Sequence, residues 1–103
     1  MGHFDKTNEF HELNDYVKKI ADDYFVAREK IRNSEDSETN SNYVMRVKNA
    51  FNKLDPIGQS FINNEFFYQK YPFWWEDIYS KTTYYRLKRK SMESFKEAFE
   101  NDC

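Results

Sequence analysis

The amino-acid sequence predicts a single all-α domain of about five helices. Apolar residues recur every three or four positions over long stretches, which is the spacing that places them on one face of a helix. Only two glycines and two prolines occur among the 103 residues, so the chain has few of the tight turns that β-hairpins need. A chain of roughly 100 residues buries enough surface for one compact domain, but it is too short for two.

The first predicted helix runs from about Phe10 to Arg32, with Thr7 or Asn8 as its N-cap. Its apolar stripe continues through three heptads: Phe10, Leu13, Val17, Ile20, Tyr24, Ala27 and Ile31. Such a stripe suits packing within the domain, and it also suits the seam of a coiled-coil homodimer. Packing within the domain is favoured because further residues widen the stripe beyond a strict two-stranded seam: Tyr16, Ala21 and Phe25.

Residues 33–42 are polar and rich in capping types, so they are predicted to form a solvated loop. A second helix follows, with apolar positions Tyr43, Val44, Val47, Ala50, Phe51 and Leu54. It stops at Asp55, which is the expected N-cap of a third helix with Pro56 as its first residue. The apolar positions of the third helix are Ile57, Phe61, Ile62, Phe66 and Phe67.

Pro72 ends the preceding structure, and the apolar residues after it predict a short fourth helix over Phe73–Tyr79. The last helix is predicted to run from Ser80 to Phe99, with Ser80 or Thr82 as its N-cap. One face of it carries Tyr84, Leu87, Ser91, Phe95 and Ala98. We expect five residues to pack together as the inner faces of the last three helices: Phe61, Phe66, Ile78, Tyr84 and Phe95.

The composition predicts a cytoplasmic protein. Its single cysteine, Cys103, excludes an intrachain disulfide and suits a reducing compartment. The start of the chain is polar, and no apolar run approaches the ~20 residues that a membrane-spanning helix needs. We therefore expect no membrane partner.

No arrangement of residues in the sequence predicts an enzyme, a metal site or a cofactor. The histidines are His3 and His11, and His11 lacks the second histidine of a metalloprotease helix. Cys103 has no histidine near it in sequence, so a catalytic thiol is not expected. Paired acids such as Asp22-Asp23 and Glu76-Asp77 fall on patterns typical of solvated helix faces.

Positive charge is concentrated near the end of the chain. Residues 80–92 contain no acid and five cations: Lys81, Arg86, Lys88, Arg89 and Lys90. Because the net charge of the chain is −2, the remainder carries −7. On a helix, Arg86, Arg89 and Lys90 would project away from the apolar face, whereas Lys88 would lie near that face and have to extend outward. Such a basic face can neutralise DNA phosphates, although a solvated face that balances an acidic body is the simpler interpretation.

The order of residues 80–91 resembles the recognition helix of helix-turn-helix proteins of the sigma-70 region 4 type. Those helices open with Ser-x-x-Thr, as Ser80 and Thr83 do here. A buried residue follows, and Tyr84 matches it. An aromatic residue and basic residues come next, and a small residue lies seven positions after the buried one, where this chain has Ser91. The end of the chain is also similar to phage-type regulators related to the autolysin regulator ArpU and to a small family of mollicute proteins.

The resemblance implies a DNA-binding transcriptional regulator. Residues 54–67 would be the scaffold helix, residues 73–79 the positioning helix and residues 80–99 the recognition helix, while residues 1–53 would support or dimerise this unit. The chain has Glu76-Asp77-Ile78 where the pattern holds a glycine, so a reshaped turn is expected. The predicted contacts to double-stranded DNA are Lys81, Thr82, Thr83, Tyr85, Arg86, Lys88, Arg89 and Lys90.

The alternative interpretation is a non-enzymatic helical module that binds a partner protein through aromatic residues of 73–79. RNA polymerase is the partner that the resemblance implies. Buried Trp74 and Trp75 beside an open basic face would favour DNA binding, whereas an exposed aromatic patch would favour the module.

Overall fold

The computed structural model describes residues 2–34 and 37–101, and for residues 2–7 and 37 it describes the backbone alone. This part of the chain contains four α-helices, one π-helical turn and no β-strand. The helices are α1 (Gly2–Arg32), α2 (Ser37–Asn52), α3 (Pro56–Ile62) and α4 (Lys81–Asn101), and the π turn spans Asn63–Phe67. The all-α prediction is confirmed, with four helices instead of about five. The side chains of His3 and Cys103 are not among those that the structure describes.

The first two helices are longer than predicted. Helix α1 begins at Gly2, so Thr7 and Asn8 lie inside it and cap nothing. The intervening residues contain no proline or glycine that would stop a helix extending toward the N-terminus. Helix α2 begins at Ser37, so the prediction of a loop through residue 42 is wrong. The polar and acidic residues that we predicted to form a loop are of the types that helices favour in their first turn.

The boundary between α2 and α3 follows the prediction. The Asp55 side chain accepts a hydrogen bond from the Gly58 amide at 2.7 Å, and Pro56 is the first residue of α3. A Cβ atom at Gly58 would lie 3.1 Å from Asp55 Oδ1 and 3.3 Å from Leu54 Cβ. The close approach of the capping carboxylate therefore favours glycine here, because a Cβ atom would force Asp55 or Leu54 to shift.

The predicted fourth helix is absent. Residues 72–78 form successive turns, in which the Glu76 amide donates to the Phe73 carbonyl at 3.1 Å and the Ile78 amide to the Trp75 carbonyl at 3.0 Å. Two consecutive indoles, Trp74 and Trp75, both pack against the domain. In a regular helix two consecutive side chains point about 100° apart, so the two indoles would not both face the domain.

The hydrophobic core joins α1, α2, the end of α3, the π turn and α4. Its buried residues are Val17, Ile20, Ala21, Tyr24, Ala27, Val44, Val47, Ala50, Leu54, Ile62, Phe66, Met92, Phe95 and Phe99. The apolar stripe of α1 is thus buried within its own chain, as the domain-packing interpretation expects. Arg46 links α2 to α4, because it donates to the Phe99 carbonyl at 2.9 Å and lies 3.9 Å from the centre of its ring.

Four of the five residues that were predicted to pack together are buried, but only Phe66 and Phe95 belong to this core, while Phe61 and Tyr84 contact each other beside it. Phe61, Phe66, Tyr84 and Phe95 are all buried. Ile78 is wrong, because 64% of it is exposed. The turns of residues 72–78 direct this side chain away from the core, where a helix would have turned it inward.

Candidate nucleic-acid interface

Helix α4 begins where the sequence predicted, with Ser80 as its N-cap. The Thr83 amide donates to Ser80 Oγ at 3.2 Å, and Ser80 Oγ donates to Thr83 Oγ1 at 3.0 Å. These bonds satisfy groups that a helix end would otherwise leave unpaired. Thr83 is half-buried and occupied in this cap, so it is not among the exposed residues of the predicted interface.

The inner face of α4 is held firmly against the domain. The Tyr84 ring stacks on Trp75 with ring centres 4.2 Å apart, and it also contacts Phe61. Ser91 is buried, and its hydroxyl donates to the Leu87 carbonyl at 2.8 Å. The two positions that the resemblance matched to a buried and a small residue therefore lie where it implies.

Five of the eight predicted contact residues are exposed: Lys81, Thr82, Tyr85, Arg86 and Lys90. Thr82, Arg86 and Lys90 follow one another at intervals of four residues, so they form a row along the outer face of α4. Among the described residues, neither Arg86 nor Lys90 has a carboxylate partner. This row presents a hydroxyl group and two unneutralised cations to solvent.

Lys88, one of the predicted DNA contacts, points inward instead of extending to solvent. Its Nζ lies 3.0 Å from Glu65 Oε1, and the two side chains are only 14% and 11% exposed. The ammonium group also lies 5.6 Å from the centre of the Phe66 ring. We predicted that Lys88 would extend to solvent, but a carboxylate inside the domain neutralises it in place.

Glu65 connects three elements at this point. It accepts hydrogen bonds from the Tyr84 hydroxyl at 2.5 Å and from Trp74 Nε1 at 2.7 Å, in addition to its ion pair with Lys88. Burial, together with the hydrogen bond to Glu65, raises the pKa of the Tyr84 hydroxyl far above its ordinary value. Glu65 was not predicted as a functional residue. The sequence contained a signal for it, because Glu65 lies at helical spacing among apolar residues, three positions after Ile62 and four after Phe61.

Arg89 is the second predicted contact whose charge is neutralised within the domain. Its guanidinium lies 2.8 Å from Glu9 Oε2 on α1 and 3.4 Å from Glu93 Oε2 on α4, and only 31% of its side chain is exposed. The prediction of an open Arg89 on the basic face is therefore wrong. Helix α1 begins earlier than predicted and passes beside α4, and this brings Glu9 to the arginine.

A cation from another element joins the row on α4. Lys53 and Lys90 line the same cavity of about 310 Å³, together with Asp55 at the start of α3 and three residues of the inner face of α4: Leu87, Ser91 and Ala98. Lys53 is exposed and has no ion pair among the described residues. We call Lys53, Lys81, Arg86 and Lys90 the basic face. Sequence spacing had no means of finding Lys53, because the tertiary fold alone brings it to α4.

An apolar surface lies in the segment just before α4. Tyr71 is 72% exposed, and Phe73 and Ile78 are each 64% exposed. We call these three residues the apolar edge. Trp74 and Trp75, which the sequence analysis used to distinguish its two hypotheses, are half-buried. The described structure thus contains both a partly open basic face and an exposed apolar edge.

Among the described residues, no three His, Cys, Asp or Glu side chains are grouped in a way that would hold a metal ion. No described helix has the length and apolar character that crossing a membrane demands. Comparisons with protein-family models, with curated proteins and with solved structures find no match to this chain.

Proposed function

We propose that this protein binds double-stranded DNA through the basic face and acts as a transcriptional regulator in the cytoplasm. The observation that carries the proposal is the row of exposed side chains on the first half of α4, opposite a firmly packed inner face. A rigid helix with cations and hydroxyl groups on its outer side is the arrangement by which recognition helices enter the major groove.

Each exposed group has a chemical role in this arrangement. Arg86 can form two parallel hydrogen bonds to a phosphate or to a guanine edge, and Lys90 and Lys53 supply point charges for phosphates. Thr82 and Tyr85 add hydroxyl groups near the start of the helix. The resemblance of residues 80–91 to sigma-70 region 4 recognition helices supports the same use of this face. The function is binding, and it involves no catalytic step.

The test compares two double substitutions that change the charge equally. Arg86→Gln with Lys90→Gln removes two cations from the basic face, whereas Lys18→Gln with Lys19→Gln removes two exposed cations from α1. Fluorescence anisotropy on a 20-base-pair duplex at several salt concentrations measures the affinity, and circular dichroism checks the fold. We expect the first variant to lose at least tenfold in affinity and the control to lose less than threefold. Equal losses in both variants would show that any binding reflects net charge alone.

The apolar edge supports a second candidate, in which the chain is an interaction module for a partner protein. Exposed aromatic residues are enriched where proteins meet, and Phe73 and Ile78 are both more than half exposed. The resemblance to sigma factors makes RNA polymerase the proposed partner. Phe73→Ser with Ile78→Ser should abolish binding to purified RNA polymerase and leave DNA affinity unchanged. Unaltered binding to the polymerase would reject this candidate.

A further inference from the structure

A second cavity lies on a different side of the molecule, between α1, α2 and the π turn. Its volume is about 230 Å³. The residues that line it are Tyr24, Val47, Lys48, Phe51, Asn52, Asn63, Phe67 and Tyr68. The inner wall is apolar, since Val47 and Tyr24 are buried members of the core. Polar groups, among them Asn52 and the exposed Lys48, lie toward the mouth. A mostly apolar cavity with a few polar groups is the usual form of a small-molecule site.

The π turn shapes this cavity. The Tyr68 amide donates to the Asn63 carbonyl five residues earlier, at 2.8 Å, so the backbone ring is wider than in an α-helix. Asn63 and Phe67 line the cavity from this turn, whereas Glu65 faces α4 on the other side. The wider ring at the end of α3 therefore determines which side chains of this segment line the cavity.

The charges around the mouth are positive. None of the lining residues is acidic, and Lys48 has no carboxylate partner among the described residues. The Arg28 guanidinium lies 5.6 Å from the centre of the Tyr24 ring, and a hydrogen bond with the Tyr68 hydroxyl raises the pKa of Arg28. Both of these rings line the cavity. Lys48 lines the cavity and Arg28 lies beside one of its rings, and neither cation has an acidic partner among the described residues.

We propose that this cavity binds a small monocarboxylate with an apolar body. The apolar part would contact Val47, Phe51 and Phe67, and the carboxylate would meet Lys48 and Arg28 at the mouth. At roughly 30 Å³ for each non-hydrogen atom, the volume admits about eight such atoms. With the carboxylate outside the cavity at its mouth, the apolar body of a medium-chain fatty acid or of a phenyl-substituted short acid has this size. The inference is independent of the DNA-binding proposal, because none of these residues belongs to the basic face.

The experiment uses octanoate as the probe, with octanol and octylamine as the neutral and positively charged counterparts. Methyl resonances in a ¹³C-labelled sample report the site, because Val47 lines this cavity whereas Ile57 lines the other one. We expect octanoate to shift the Val47 methyl signals saturably and to leave Ile57 unchanged. Octanoate should bind about tenfold more tightly than octanol, since a charge-assisted hydrogen bond contributes about that factor, and octylamine should not bind.

Two exposed lysines make a matched pair of variants. Lys48→Glu places a carboxylate at the mouth and should weaken octanoate binding at least tenfold without altering the binding of octanol. Lys30→Glu makes the same charge change on the exposed side of α1, away from the lining residues, and should have no effect on either. Equal affinity for octanoate and octanol, or equal loss in the two variants, would overturn the carboxylate site. Shifts at Ile57 as large as those at Val47 would do so as well, because they would indicate nonspecific binding.

Discussion

Replacing Glu65 by leucine should destabilise the protein by about 4 kcal/mol. Removing one member of a buried ion pair costs ~3–5 kcal/mol, and the lower value applies because the Lys88 side chain is 14% exposed and can relax toward solvent. The change also leaves the Tyr84 hydroxyl and Trp74 Nε1 without their acceptor, at about 1 kcal/mol each. Burial of the leucine side chain offsets about 1 kcal/mol of this loss.

The same reasoning ranks two further variants. Lys88→Met should cost only about 2 kcal/mol, because Glu65 keeps both of its hydrogen-bond donors. Glu65→Leu combined with Lys88→Met should cost about 2 kcal/mol, less than Glu65→Leu alone, because it leaves no buried unpaired charge. Lys90→Met is the control on the exposed side of α4 and should stay within about 0.5 kcal/mol.

Urea denaturation followed by tryptophan fluorescence measures these differences, and Trp74 reports on the site directly because its indole contacts Glu65. The double-mutant cycle tests whether Glu65 and Lys88 interact. If the two single losses simply add in the double variant, to about 6 kcal/mol, Glu65 and Lys88 do not form the pair and Lys88 returns to the exposed face.

Three further predictions concern other parts of the fold. Phe95→Ala should cost ~3–5 kcal/mol, because Phe95 is fully buried in the core, whereas Ile78→Ala at an exposed position should change thermal stability little. Ser80→Ala should cost about 1 kcal/mol by removing the N-cap of α4, and a change below 0.3 kcal/mol in urea denaturation would mean that the cap does not form. Burial raises the pKa of Tyr43 to about 12. Since the unfolded tyrosine ionises near pH 10, its contribution to stability is complete below that pH and is lost as the pH rises toward 12. Tyr43→Phe should therefore lessen the decline in stability between pH 10 and 12.

The helices were predictable because they depend on local spacing. The apolar stripe of α1, the Asp55-Pro56 start of α3 and the Ser80 start of α4 are all explained by residues fewer than eight positions apart. The segment Phe73–Tyr79 was not predictable in this way. Its indoles contact Phe61 and Tyr84 from other elements, and these tertiary contacts select turns over a short helix.

The candidate interface was predictable only in part, for the same reason. Helical spacing correctly separated Arg86 and Lys90 from Tyr84, since these positions depend on α4 alone. The state of Lys88 and Arg89 depends on carboxylates that are distant in sequence, Glu65 and Glu9. The helical spacing of Glu65 indicates that it is partly buried, but no local pattern pairs either carboxylate with its cation. The π turn that aims Glu65 at α4 was likewise hidden, because its sequence reads as a continuation of α3.

These ion pairs change the salt dependence that we expect for DNA binding. Five cations in residues 80–92, each meeting a phosphate, would give a slope of log affinity against log salt of about −4.5. In the structure Glu65 neutralises Lys88, and Glu9 with Glu93 neutralises Arg89. Lys81, Arg86 and Lys90 alone would then give a slope of about −2.7, and Lys53 would steepen it to about −3.6. Lys53→Gln should therefore flatten the slope by about one unit, and Lys88→Gln should leave it unchanged in protein that is still folded. A slope near −5.4 in the wild type would mean that the carboxylates release both cations when DNA binds.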